Sequence, residues 1–281
     1  MIRQVVIGIL ALALGVAAAQ AQSGATVERG RYLVDTVMTC HNCHTPRGPN
    51  GQMFDKALSG GMRFDEPPFD VTASNITSDR ETGIGAWSDA DIKKLLTTGM
   101  RPNGVPVAIV MPTAFYKVIT PRDLDSIVAY LRTIPPVKNQ VPAPVYKIAL
   151  QPPVVPNAQK QMTEVDLGDK LKRGFYLATI AHCMECHTPV GPKGRDFSRT
   201  GAGGFEFKGP WGVSLSRNIT SSKTKGLGGW TDDEIKRAIT QGVSHDGSKL
   251  KPPMGFAFYA KMTPADLDAL VGYLRTVPAM E

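Results

Sequence analysis

Apolar positions recur at helical spacing in two places that read alike. In "TPRDLDSIVAYLRTIP", Leu124, Ile127, Val128 and Leu131 form one stripe, with Thr120 as N-cap and Pro121 at the first helical position. A second copy, "TPADLDALVGYLRTVP", places Leu267, Leu270, Val271 and Leu274 in the same pattern. Two further helices are bounded by their own signals. "WSDADIKKLLTTG" offers Ser88 as cap, Asp91 three residues on, Gly99 as a stop, and Trp87 with Ile92 as a hydrophobic staple. "WTDDEIKRAITQG" repeats this with Thr231, Glu234, Gly242, Trp230 and Ile235. A helix is also expected to lead into each cysteine pair. The stretches between are rich in Gly and Pro, with little strand alternation. The expected fold is all-α, loop-rich and short of apolar core for its size, so that a large apolar group would complete it.

The resemblance between copies is systematic. An offset of 143 residues carries Phe54 to Phe197, Gly60-Gly61 to Gly203-Gly204, and Phe64 to Phe207. It also carries "NITS" from Asn75 to Asn218, "AFY" from Ala114 to Ala257, and "YLRT" from Tyr130 to Tyr273. Upstream of the cysteines the offset becomes 144, so "RGRYL" at Arg29 matches "RGFYL" at Arg173 and one residue has been gained or lost between. This is a tandem duplication of a unit of about 110 residues, an ordinary domain size. The expected domains are 22–135 and 169–281. The Pro-rich stretch 136–168 is expected to be an extended, semi-rigid connector along the surface.

At the N-terminus, Arg3 precedes an apolar run from Val5 to Ala19 and then Ala19-Gln20-Ala21. That is the pattern of a secretory signal peptide over 1–21, cleaved after Ala21, and the run is too short to cross a bilayer. Export to the periplasm is the expectation, with retention as an anchor the alternative. The chain carries a net charge of +7, with Lys and Arg scattered rather than clustered, which argues against a nucleic-acid surface. A mildly basic exported protein can dock on an acidic partner or peripherally on anionic lipid, though solubility explains the charge as well.

All four cysteines lie in two motifs, "CHNCH" (Cys40, Cys43, His44) and "CMECH" (Cys183, Cys186, His187). Zinc held between the knuckles would join residues 143 apart and leave the histidines unused. A redox dithiol expects a βαβ setting that is absent. Covalent haem uses every residue: two thiols add across the vinyl groups, and the following histidine lies beneath the iron. On this reading two haem c groups are attached at Cys40/Cys43 and Cys183/Cys186, with His44 and His187 as proximal ligands.

Of the eleven methionines, the pair outside the leader kept at the 143 offset is Met111 in "IVMPTAFY" and Met254 in "PPMGFAFY". Each is expected as the sixth ligand, a lone Met being more often packing. His245 is a rival in the second unit, but its counterpart is Pro102, which favours a surface loop. His41 and His182 are expected to point away from the iron. Trp87, Trp230, Asn75 and Asn218 carry N–H donors suited to haem propionates, plain core anchoring being an equal reading for the tryptophans. A carbonyl near Pro49 or Pro192 is a candidate acceptor for the proximal histidine's other nitrogen.

By these motifs the chain resembles the class I cytochromes c, duplicated into a dihaem protein: "RGRYL"/"RGFYL" before CxxCH, a Met loop, and a closing helix ending "YLRT". That resemblance implies two small helical haem domains in which the first and last helices cross. The stretch "NITSDRETGIGAWSDADIKKLLTTG" and its copy are similar to the cytochrome subunits of bacterial membrane-associated dehydrogenases. Many of those carry three haems and an anchor, so a free shuttle is the alternative. The implied role is a carrier of single electrons from a dehydrogenase-type donor to a respiratory cytochrome or oxidase, without catalysis of its own. A dihaem peroxidase-like enzyme or a ligand sensor would need an open iron position, and the retained methionines argue against it.

Overall fold

A computed structural model describes residues 26–149, 151–192, 194–209 and 211–281. The expected leader, 1–21, lies outside the described residues. Among those described, no helix is long and apolar enough to cross a membrane.

Each half is built on a helix that enters the cysteine motif and a helix that closes the half. In the first, a helix over 26–31 continues as the π-helical Tyr32–Val37 (together α1), and the closing helix is Pro121–Thr133 (α4). In the second, Lys170–Ile180 (α5) and Pro264–Leu274 (α9) take those places. The crossings are tight enough to require glycine. A Cβ on Gly30 would fall 1.8 Å from the Ser126 carbonyl oxygen, and one on Gly174 would fall 2.0 Å from that of Ala269. The glycine of "RGRYL" and "RGFYL" is therefore a contact of backbone on backbone.

The cysteines ride on one-turn helices, His41–His44 (α2) and Cys183–Cys186 (α6). The tryptophan-led helices are Asp89–Thr98 (α3) and Asp232–Gln241 (α7). Their capping boxes form as expected, Ser88 with Asp91 and Thr231 with Glu234, and Gly99 and Gly242 end them at φ of 72° and 65°. Thr120 and Thr263 cap the closing helices ahead of Pro121 and Pro264. Leu124, Ile127, Val128 and Leu131 are buried, as are Leu270, Val271 and Leu274. The single turn Phe256–Tyr259 (α8) completes the helices.

The core is helix-rich and all-α, as expected, but small hairpins decorate it. Arg47–Gly48 (β1) pairs with Gly51–Gln52 (β2), and Val190–Gly191 (β6) with Gly194–Arg195 (β7). Longer ribbons join Arg63–Glu66 (β3) to Phe69–Thr72 (β4), and Glu206–Gly209 (β8) to Gly212–Leu215 (β9). They were hidden in the sequence because each strand is four residues or fewer and turns on Gly or Pro.

The connector departs from expectation. Val145–Tyr146 (β5) leaves it to pair with β4, and Val155 and Ala158 are buried in the main core. The Met162 amide donates to the Val118 carbonyl at 2.9 Å. The connector is thus partly internal: short apolar residues between its prolines find core space that a solvated spacer would leave unused.

Candidate functional site

The two cysteine motifs open into one continuous cavity of about 2190 Å³. Its lining includes Cys40, Cys43 and His44 from one motif and Cys183, Cys186 and His187 from the other. Met111, Met254, Trp87 and Trp230 line it as well. The expected proximal histidines, methionines and tryptophans of both halves therefore meet at a single internal space. The shortage of apolar core read from the sequence is this space.

Chain direction at the motifs is forced. Thr39 and His182, just ahead of the first cysteines, sit at φ of 49° and 46°. Such a backbone is rare for non-glycine residues and rarer for a β-branched one. It turns the chain from the entry helix into the one-turn helix that presents both thiols. All four cysteines are free and half-buried, their remaining surface facing the cavity. Burial pushes the Cys40 and Cys183 thiols up to about 12, and burial with the nearby Glu185 carboxylate does the same for Cys43. Reactive dithiols and thiolate metal sites lower the thiol pKa. These thiols have the opposite environment.

The two histidines are held identically. His44 Nδ1 donates to the Ser74 carbonyl at 2.7 Å, and His187 Nδ1 to that of Arg217 at 2.7 Å. The acceptors thus lie two residues beyond the last strand of each ribbon, in the segment that leaves it, and not near Pro49 or Pro192. This places the proton on Nδ1, and burial lowers the pKa of both rings, favouring the neutral form. Nε2 makes no hydrogen bond among the described residues, so its lone pair is free to ligate. Each histidine's own carbonyl accepts from a glycine amide, Gly60 at 2.6 Å and Gly203 at 2.7 Å. These glycines lie at φ of 86° and 75°, with backbone so close that a Cβ on either would clash. That is the reason for the first glycine of each repeated pair; the second, Gly61 and Gly204, has room for a Cβ and is favoured instead by its φ of 121° and 88°.

The remaining sequence candidates divide. Trp87 and Trp230 keep their indole N–H groups free of partners among the described residues. Asn75 does not: its amide donates to Thr82 Oγ1 at 3.0 Å and the Val137 carbonyl at 2.7 Å, while its Oδ1 holds Thr77. Asn218 likewise ties Thr220 to the Met280 carbonyl. Both asparagines clamp their loop to the segment after the closing helix. His41 spends both ring nitrogens on Thr45 and Asp35, and His245 lies exposed against the Trp230 ring, 4.6 Å between centroids. His182, Glu185 and Cys186 bring ligand atoms within 4.8 Å of one another, but the sequence motif commits Cys186 to attachment, and the counterparts in the first half are Thr39, Asn42 and Cys43.

Two positioning groups escaped the sequence reading. Arg132 Nη2 donates to the Trp87 carbonyl at 2.5 Å and to Asp89 at 2.8 Å, and Arg275 makes the same bonds to Trp230 and Asp232. The arginine of "YLRT" thus fixes each tryptophan loop against the closing helix. Thr45 and Thr188, after each histidine, accept the Leu58 and Gly201 amides. Repetition of both residues at the common offset was the available signal.

The chemistry of these donors fits covalent haem: paired thiols, a neutral imidazole with a free Nε2, a thioether across the same cavity, and a largely apolar wall. Comparison with known proteins agrees. Residues 171–278 match the cytochrome c family. The fructose dehydrogenase cytochrome subunit of Gluconobacter japonicus is 30% identical over 276 residues, covering 90% of this chain and 53% of that one. The cytochrome c subunit of the quinone alcohol dehydrogenase of Gluconobacter oxydans is 27% identical, covering 98% and 59%. A diheme cytochrome c-type protein of Cereibacter sphaeroides is 28% identical, covering 86% and 83%. The chain spans a little over half the length of the two dehydrogenase subunits.

Proposed function

The chain is homologous to the cytochrome c subunits of bacterial dehydrogenases, broadly within the class I cytochrome c family, and from that premise we propose that it is a periplasmic dihaem electron carrier. Two tandem haem domains, 22–135 and 169–281, joined by 136–168, follow a cleaved signal peptide over 1–21. Haem c is attached at Cys40/Cys43 and at Cys183/Cys186, with His44 and Met111 on one iron and His187 and Met254 on the other. The donor is a dehydrogenase, and the acceptor is a respiratory cytochrome or oxidase.

The observation that carries this reading is the identical tethering of His44 and His187 by a backbone carbonyl at 2.7 Å, each facing a cavity that a methionine of its own half also lines. Haem supplies reversible one-electron chemistry, and a methionine opposite the histidine raises its potential. The chain's residues supply the rest. The carbonyls of Ser74 and Arg217 fix the imidazole tautomer and ring direction. The apolar wall excludes water, and Trp87 and Trp230, which line the cavity with indole N–H groups that have no other partner among the described residues, serve the propionates.

A visible spectrum of the purified protein, oxidised and ascorbate-reduced, with and without carbon monoxide, tests this. Two low-spin haems with a methionine–iron charge-transfer band, unmoved by carbon monoxide, are expected. A high-spin haem that takes carbon monoxide would instead assign one iron an open position, and an enzymatic role with it.

A further inference from the structure

The two halves meet through a reciprocal contact between entry and closing helices. The Tyr32 hydroxyl, on α1, donates to Asp266 Oδ2 at the start of α9 at 2.6 Å. The Tyr176 hydroxyl, on α5, donates to Asp123 Oδ2 at the start of α4 at 2.6 Å. Each aspartate is also paired within its own half, Asp123 with Arg29 at 2.7 Å and Asp266 with Arg173 at 2.5 Å. Both carboxylates are almost wholly buried, at 2% and 1% exposure. Charge-assisted bonds of this length in a dry setting are among the strongest a side chain makes.

The same surface carries the cysteine motifs. The His41 ring stacks on Phe258 of the other half, centroids 6.1 Å apart and planes within 4°. Phe115 faces Phe197 across the junction at 6.3 Å. The Asn42 amide donates to the Pro253 carbonyl at 3.1 Å. Thus residues inside one attachment motif rest on the methionine loop and "AFY" turn of the other half.

We propose that Tyr32 and Tyr176 are positioning residues for electron exchange between the two haems. Their hydroxyls join the entry helix of one half to the closing helix of the other, fixing the separation and orientation of the two attachment motifs. The exchange is of one electron, one iron being oxidised as the other is reduced, with no bond made or broken. The inference rests on the two-haem reading above.

The test uses the full, haem-loaded chain with Tyr32→Phe, Tyr176→Phe and the double substitution. Each aspartate keeps its arginine, so the halves stay folded. Exchange is followed in half-reduced protein by magnetisation transfer between haem-methyl resonances, beside the visible spectrum and amide hydrogen exchange at the junction. In the double variant, the expected results are an unchanged low-spin spectrum, interhaem exchange slowed at least about tenfold, and junction amides exchanging about a hundredfold faster. The single variants should fall between. Interhaem exchange within twofold of the parent, with the spectrum intact, would overturn the proposal. A parent protein lacking two low-spin haems would overturn the underlying reading instead, and is recognised from its spectrum before any variant is made.

Discussion

The two halves keep the same site while differing in what surrounds it. Leu33 lies seven positions ahead of Cys40 in the first half, whereas its counterpart Leu177 lies six ahead of Cys183 in the second. The extra residue is absorbed as the π-helical Tyr32–Val37, where the second half runs as the regular α-helix Lys170–Ile180. A single inserted residue widens one helical turn, and the helix on either side keeps its partners. Every later landmark therefore holds its offset of 143. Beyond the site, the β3–β4 ribbon gains the strand Val145–Tyr146 from the connector, burying Phe69, Val71 and Ala108 beneath it. In the second half the counterparts are Gly212, Ser214 and Lys251, and β8–β9 stays two-stranded. The lesson is that the helix crossing, the histidine tether and the tryptophan clamp were held fixed together, while the ribbon beside them was free to change.

The largest test of that equivalence is at the helix crossings. Gly30→Ala and Gly174→Ala should each cost about 3 kcal/mol or more, because the new Cβ meets backbone that cannot move aside. Denaturant unfolding of the haem-loaded protein measures both. A marked difference between them would show that one crossing is expendable.

Removing the tryptophan clamps should cost less. Arg132→Ala and Arg275→Ala each lose a carboxylate and two carbonyls, but both side chains are about 30% exposed. A loss of about 1–2 kcal/mol in each half is expected from the same unfolding measurement. Near-equal losses support the equivalence of the two clamps.

Deleting Thr36 gives the first half the spacing of the second. The π turn should become α-helical with a change within about 1 kcal/mol and full haem attachment, read by circular dichroism and absorption. Failed attachment would mean that the first half has come to depend on its extra residue.

The smallest expected effect separates the halves electrically. Residues 22–135 hold twelve Lys and Arg against twelve Asp and Glu, whereas 169–281 hold sixteen against eleven. Positive surroundings favour the reduced iron, so under the proposed two-haem assignment the second-half haem should have the higher potential, by on the order of a few tens of millivolts at low salt, shrinking as salt screens the field. Redox titrations of Met111→Ala and Met254→Ala, each leaving one haem intact, assign the two potentials. Equal potentials would mean that local hydrogen bonds outweigh net charge.

Much of the molecule was legible in its sequence, for an identifiable reason. Helix caps at Ser88, Thr120, Thr231 and Thr263, the stops at Gly99 and Gly242, and the apolar stripes are local devices. Their partners lie within a turn or two, so spacing alone reveals them. The cysteine motifs and the methionine pair stood out because the duplication repeats them, and a repeat filters chance occurrences from constrained ones. What the sequence could not state is which repeated residue touches which. The acceptors at Ser74 and Arg217, 30 residues from their histidines, were decided by where the ribbons return. The diversion of Asn75 and Asn218 into loop clamps came from the segment that follows each closing helix. The reciprocal bonds of Tyr32 with Asp266 and Tyr176 with Asp123 span 234 and 53 residues. No periodicity encodes such a pair, because it exists only once two folded halves have been docked face to face.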